Sequence, residues 1–317
     1  MKTILGTGQL GVAVMQQLLK KNPTEEILIV NRSGKLSMSV PANVNVIAAD
    51  VTRKTDLEAI AKQSTVLFSC TDVPYHHWAE FYPAVAKALA FALTHTNARL
   101  VFADNLYSYG NIAVAEMFEQ MPHSAKTKKG KIRAGVINTL LHSGEAFNKR
   151  VAFVKAADFI GPRIYKGIFG TDFLDRVYRG KKVMLFGNIS LPHTFTYIND
   201  FADAMINVSC ETDTFGQIWH VPNAPALSID KWVHLFEIIT EKKIQQMIVP
   251  KFLIRVAGFF NPLIRELYEM AYQFEYPYLV NHDKYVNRFG NHAAYPSYIV
   301  KQTVEWYNAN KTTPAIQ

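Results

Sequence analysis

Gly6-Thr7-Gly8-Gln9-Leu10-Gly11 separates the apolar run Lys2-Thr3-Ile4-Leu5 from Val12 to Leu19, where apolar residues recur at helical spacing. Glycines in this spacing, after a strand and at the start of a helix, suit a loop that approaches phosphates with its backbone. Gly6 permits the tight turn, Gly8 admits the phosphates, and Gly11 lets helix and strand pack closely. Free N–H groups at the helix start, together with its dipole, attract the anion.

Downstream, β-type runs alternate with helical ones. Glu26 to Val30, Val44 to Ala48, Thr65 to Cys70, Arg99 to Ala103 and Val151 to Ala157 read as strands, and Asp56 to Ala61, Trp78 to Leu93 and Gly130 to Phe147 as helices. This alternation predicts an α/β fold, a Rossmann-type doubly wound parallel sheet whose ligand edge lies at the strand C-termini. Beyond Gly161-Pro162 the pattern becomes irregular, with a short strand at Val183 to Phe186 and helices near Phe201 to Val208 and Ile229 to Ile239. The expected division is an NAD(P)-binding domain over residues 1–160 and a smaller C-terminal α/β substrate-binding lobe over 161–317, interleaved with the Rossmann sheet.

The second strand ends Val30-Asn31-Arg32-Ser33, with no carboxylate to take a ribose 2′-hydroxyl and a guanidinium able to meet a 2′-phosphate. NADP(H) is therefore the favoured cofactor and NAD(H) the alternative. Asp50, before Val51, is placed either to accept from an adenine amino group or to cap the next helix. Gln9, Leu10 and Cys70 border the same expected cofactor site.

The 317 residues carry a net charge of +8, with 49% hydrophobic and 19% charged residues, as in an ordinary globular protein. The basic residues are scattered apart from Lys126 to Arg133, read as a solvated helix start, so no nucleic-acid partner is expected. Cys70 and Cys210 lack metal-site spacing and read as free thiols, and no metal is expected. The N-terminus lacks the pattern of a signal peptide, and Phe252 to Leu267 is interrupted by Arg255, Pro262 and Arg265. The expectation is a cytoplasmic protein with no membrane partner and a disordered tail from Lys311 to Gln317.

Several segments together carry a resemblance: the Gly loop, Asp50-Val51, Phe102-Ala103-Asp104-Asn105 through Tyr109-Gly110, Asp158 through Gly161-Pro162, and Phe195-Thr196-Tyr197-Ile198-Asn199-Asp200. In this order they resemble the short-chain dehydrogenase/reductase superfamily in its extended or atypical branch, the NAD-dependent epimerase/dehydratase group, over nearly the whole chain. The resemblance implies a Ser/Thr, a Tyr and a Lys at the chemistry, the last two spaced Tyr-x-x-x-Lys. Counting back from Tyr109-Gly110, the serine position falls on Asn105, the lysine position on Lys131 and the tyrosine position on Thr127.

Three readings of Thr127 stay open. An oxidoreductase or epimerase/dehydratase-like enzyme takes its acid from elsewhere, with Tyr107 as the candidate, Asn105 orienting the substrate oxygen and Lys131 holding the ribose. A non-catalytic NAD(P)-binding protein acts as a redox-sensing regulator. In the third, another tyrosine fills the site. The resemblance also places the substrate, a small molecule bearing a carbonyl or hydroxyl or a sugar nucleotide, near Asp158, Gly161-Pro162-Arg163 and His193, with Tyr107 at its edge. Asp200 is expected to cap a helix. The helices Trp78 to Leu93 and Gly130 to Phe147 are a candidate homodimer interface.

Overall fold

The computed structural model describes residues 1–110, 116–142, 145–250, 252–253, 255, 259 and 262–311. Most of the tail Lys311 to Gln317 and parts of Phe252 to Leu267 lie outside the described residues. Among the described residues no helix is long and apolar enough to cross a membrane.

The first half of the chain alternates as its sequence predicts: β1 (Lys2–Leu5), α1 (Gln9–Lys21), β2 (Ile27–Asn31), β3 (Val44–Ala48), α2 (Lys54–Lys62), β4 (Val66–Ser69), α3 (Trp78–Thr94), β5 (Arg99–Asn105), α4 (Lys128–Ile137), α5 (Glu145–Asn148) and β6 (Val151–Ala156). Single turns of 3-10 helix follow β4 at Tyr75–His77 and β5 at Tyr107–Tyr109. The second half adds β7 (Asp158–Ile160), α6 (Thr171–Tyr178), β8 (Val183–Phe186), β9 (Pro192–His193), β10 (Phe195–Tyr197), α7 (Ile198–Cys210), β11 (Gln217–His220), β12 (Leu227–Ser228), α8 (Ile229–Thr240), β13 (Gln246–Val249), α9 (Pro262–Glu269), α10 (Asp283–Phe289) and α11 (Pro296–Asn310).

Seven strands form one parallel sheet in the order β11-β6-β5-β4-β1-β2-β3. The order reverses between β1 and β4, the switch point at which sheets of this kind bind ligands beyond the strand C-termini. The strands read as near-continuous apolar runs because both faces are covered. Ile4, Phe68, Val101 and Val154 pack under α1 and α7, while Leu5, Leu67, Leu100 and Phe153 pack under α2, α3 and the α4 segment. A separate core around Phe169, Phe173, Phe195, Trp232, Phe236 and Val300 holds the C-terminal elements. The sheet is not confined to the first 160 residues, since β11 returns to pair with β6.

Three local expectations are corrected. The helix expected over Gly130 to Phe147 starts at Lys128 and passes into a π-helical turn at Asn138–His142. There the Thr139 hydroxyl donates back to Gly135 O (2.9 Å), a side-chain bond that competes with the helical ladder. Asp50 does not cap α2: its Oδ1 accepts from the Thr52 amide (2.9 Å) and hydroxyl (2.7 Å), and the N-cap position belongs to Arg53. Asp200 lies inside the first turn of α7, where it accepts from the Ala294 amide (2.8 Å) and ties down the approach to α11. Burial lifts this carboxyl to about 7.

Candidate functional site

The turn after β1 is built from backbone constraints. Gly6 has φ +100°, and a Cβ there would meet the backbone of Cys70 and Thr71 at 3.0 Å. A Cβ on Gly11 would lie 2.1 Å from the Gly6 carbonyl oxygen, so only glycine lets α1 approach the strand this closely. A Cβ on Gly8 would meet nothing within 4 Å. Gly8 is the N-cap of α1, no side chain caps this terminus, and no acidic residue lies in its first turn, which leaves the first amides of α1 facing open space at the positive end of the dipole. At the end of β4 the Ser69 and Thr71 hydroxyl oxygens are buried without a hydrogen-bond partner among the described residues. An open helix start beside orphaned hydroxyls fits the phosphates and ribose of a dinucleotide.

Gln9 and Leu10 form the first turn of α1, Cys70 is buried beside Gly6, and Val51 is buried after β3. Burial pushes the Cys70 thiol far up, which keeps it protonated. Asn31 braces the edge of the loop: its Nδ2 donates to Thr7 Oγ1 (3.2 Å) and Lys35 O (2.8 Å), and its Oδ1 accepts from the amides of Ser33 (3.0 Å) and Gly34 (2.7 Å). Arg32 and Ser33 are exposed beyond it. The Asp50 carboxyl is held below its usual range, chiefly by its hydrogen bonds from Thr52, with Arg53 and Arg32 contributing.

Across the switch point, β5 delivers Asn105, whose Oδ1 accepts from the Tyr107 amide (3.0 Å). That bond leaves the donor end of the amide without a protein partner among the described residues. The Tyr107 hydroxyl meets that of Tyr75 at 3.0 Å, and its ring stacks over Trp78 at 6.0 Å. Burial pushes the Tyr107 phenol well above its usual value and Tyr75 up to about 12, so both stay protonated at neutral pH.

Thr127 is the N-cap of α4, its hydroxyl accepting from the Gly130 amide (3.1 Å). Lys131 lies exposed on this helix, its amide donating to Thr127 O (3.0 Å) and its side chain making no hydrogen bond or ion pair among the described residues. The inward-facing cations are Lys129 and Arg133, which corrects the reading of Lys126 to Arg133 as a solvated run. Lys129 pairs with Glu266 and Glu269 of α9, each at 2.6 Å, and its ammonium lies 4.9 Å from the centre of the Tyr75 ring. Arg133 donates to the Tyr82 hydroxyl (2.7 Å) and pairs with Asp104 (3.3 Å). Long side chains in a charged run are buried this way only when carboxylates from elsewhere meet them.

Asp104 also accepts from Lys155 (2.6 Å), which is fully buried and donates further to Asn105 O and Ser108 Oγ, each at 2.9 Å. Ser108 therefore points its hydroxyl hydrogen at His123 Nδ1 (3.0 Å). Tyr109 meets His220 Nε2 at 2.9 Å, while His220 Nδ1 faces the Asn281 carbonyl at 2.7 Å. The carbonyl fixes the proton on Nδ1, so the tyrosine is the donor. This network holds the turn that carries Asn105 and Tyr107.

Asp158 and His193 come together: His193 Nε2 lies 2.8 Å from Asp158 Oδ2. The structure thus brings Asn105, Tyr107, Asp158 and His193 to the C-terminal edge of β5 and β6, and Gly6, Gly8, Gly11, Asn31 and Asp50 to that of β1 to β3, but leaves Lys131 on the surface. Tyr75, Lys129, Arg133 and Lys155 were not anticipated at the site. Only the strand-end position of Tyr75, five residues after Cys70, offered a signal in the sequence.

The sequence pattern described as NAD dependent epimerase/dehydratase family matches residues 4–220. No curated protein matches the chain. Solved structures that share the fold include dTDP-glucose 4,6-dehydratase from Bacillus anthracis in complex with NAD, 16% identical with TM-score 0.80, covering 98% of each chain. UDP-glucuronic acid 4-epimerase from Bacillus cereus in complex with NAD is 13% identical with TM-score 0.78, covering 98% of this chain and 99% of its own. The Bordetella bronchiseptica enzyme WbmG in complex with NAD and UDP is 19% identical with TM-score 0.77, covering 99% and 97%. With the family pattern spanning the phosphate loop, the β5 turn and the sheet through β11, this chain belongs to the NAD dependent epimerase/dehydratase family.

Proposed function

We propose that the chain is an NAD(P)-dependent oxidoreductase or epimerase/dehydratase-like enzyme that works without the tyrosine of Tyr-x-x-x-Lys. The observation that carries this reading is the pair of phenols, Tyr107 and Tyr75, hydrogen-bonded beside Asn105 at the sheet edge nearest the switch point. Gly6, Gly8, Gln9, Leu10 and Gly11 would hold the pyrophosphate, Asp50 and Val51 the adenine, and Ser69, Cys70 and Thr71 would border the ribose. A bound nicotinamide supplies hydride transfer to or from a carbon that carries oxygen.

The protein handles the proton. One phenol of the pair donates to the other, so a single hydroxyl hydrogen remains to be donated into the site, and the free amide of Asn105 orients the same substrate oxygen. Thr127 is committed to capping α4 and has no part in this step. Lys131 reaches the ribose only by turning in from the surface.

NADP(H) remains the favoured cofactor. The exposed guanidinium of Arg32 and the absence of a carboxylate on Asn31, Arg32 and Ser33 support it, while the structurally similar enzymes hold NAD. Location in the cytoplasm and a homodimer through α3 and α4 belong to the same reading.

Fluorescence titration with NADPH and NADH, followed by turnover against a panel of carbonyls and nucleotide sugars, tests it. The expected result is tighter binding of NADPH, a preference that shrinks in Arg32→Ala, and turnover lost in Tyr107→Phe. Cofactor binding with no turnover, and no effect of Tyr107→Phe in cells, moves the protein to the second reading, a redox-sensing regulator. The capped Thr127 and exposed Lys131 favour that alternative.

A further inference from the structure

The corner beside Tyr107 makes a demand on the charge of whatever enters it. β5 and β6 run parallel with Asn105 opposite Ala156, so Tyr107 and Asp158 leave adjacent strands two residues past one register. Both therefore stand on the ligand edge of the sheet. The Asp158 side chain is 31% exposed and only Oδ2 is engaged, by His193. Oδ1 has no protein donor among the described residues.

His193 is fixed in place. It is 3% exposed, its ring lies between Phe274 (4.7 Å, 6°) and Tyr278 (4.8 Å, 17°), and its backbone bridges to Tyr278. The carboxylate is thus held from behind by a locked imidazole. Burial raises the phenols of Tyr75, Tyr107, Tyr272 and Tyr278, and the charge of Asp158 raises each further. They present neutral hydroxyls and electron-rich faces.

Among the described residues no buried Lys or Arg offsets this carboxylate, and His193 is its ion-pair partner. Among the described residues the buried Lys and Arg side chains are Lys129, Arg133 and Lys155, and all are committed, the first to Glu266 and Glu269 and the others to Asp104. Arg163, the next cation after Asp158 along the chain, donates to Gln16 of α1 (3.0 Å). An anionic group here would face a carboxylate at low dielectric, whereas a hydroxyl or ammonium would find an acceptor and aromatic faces.

Building on the assignment of this edge as the substrate side of a cofactor-dependent enzyme, we infer that the corner takes a neutral or cationic hydroxylated or amino-bearing ring that donates to Asp158, and excludes a phosphate or carboxylate there. The group that enters the corner is then a non-phosphorylated alcohol or amine, whatever the rest of the substrate carries.

Calorimetric titrations of the full chain with NADP bound test this, using tyramine, 4-ethylphenol and 4-hydroxyphenylacetate as a cationic, neutral and anionic series on one ring. Tyramine and 4-ethylphenol are expected to bind at least about tenfold more tightly than 4-hydroxyphenylacetate. Asp158→Asn, with its thermal midpoint checked, should bring the series within roughly twofold. A flat or reversed series in the unaltered protein, an unchanged series in Asp158→Asn, or no binding by any ring overturns the inference. Failure of NADP to bind overturns instead the assignment of cofactor-dependent function, and the two failures are read separately.

Discussion

The two halves of the central sheet are constructed differently. The half around β1, β2 and β3 meets its expected ligand with backbone: glycines set the turn and α1 starts without a side-chain cap. The half around β5, β6 and β11 is threaded with buried polar side chains, among them Asp104, Lys155, Ser108 and His220. Their helix starts differ in the same way. The first amides of α1 face open space, whereas α4 is capped by Thr127 and by the Glu269 carboxylate, which accepts from the Lys128 and Lys129 amides. An open helix start can receive an anion, and a sealed one is committed to structure.

The largest expected effect separates the halves by pH. Burial holds His220 down to about 3 and His123 to about 4. With folded values below the unfolded 6.5, the unfolded state takes up protons first, so the stability is complete above pH 6.5 and is lost as pH falls. For His220, which is fully buried, the loss by pH 4.5 is on the order of 3 kcal/mol. Urea denaturation at pH 7.5 and 4.5 measures it, and His220→Gln should flatten the slope.

Next in size is Gly11→Ala, whose Cβ meets a carbonyl oxygen and cannot be accommodated without shifting α1. It is expected to cost about 2–3 kcal/mol in a denaturant melt and to abolish cofactor binding. Glu269→Gln should cost about 2 kcal/mol by weakening the hold on the buried Lys129, with cofactor affinity unchanged. A drop in affinity would show that the halves are coupled.

The smallest effects form a matched pair at the two helix starts. Thr127→Ala should remove about 1 kcal/mol of stability and leave NADPH affinity as it was. Gly8→Ala should do the reverse, with stability nearly unchanged but affinity down by about tenfold because the new methyl stands in the space open to phosphate. Thermal melts and fluorescence titration on both variants decide whether only α1 serves the cofactor.

How far the sequence could be read follows the same division. The glycine loop, the alternating strands and the end of β2 lie within 33 residues of one another or repeat locally, and period and spacing revealed them. The run Lys126 to Arg133 misled because burial of Lys129 depends on carboxylates 137 and 140 residues away, and that of Arg133 on Asp104 in a neighbouring strand. The Tyr109–His220 bond joins residues 111 apart, and the Asp158–His193 pair joins residues 35 apart on separate strands. No local pattern marks such partners.

By itself, then, the sequence determined the doubly wound sheet and the phosphate loop, because hydrophobic period and glycine spacing act on the backbone over a few residues. Only the tertiary structure decided that Thr127 is a cap, that Tyr75 joins Tyr107, and that Asp158 pairs with His193. Those outcomes depend on which side chains converge once β5, β6, β7 and β9 are brought together, and burial then sets their protonation and charge.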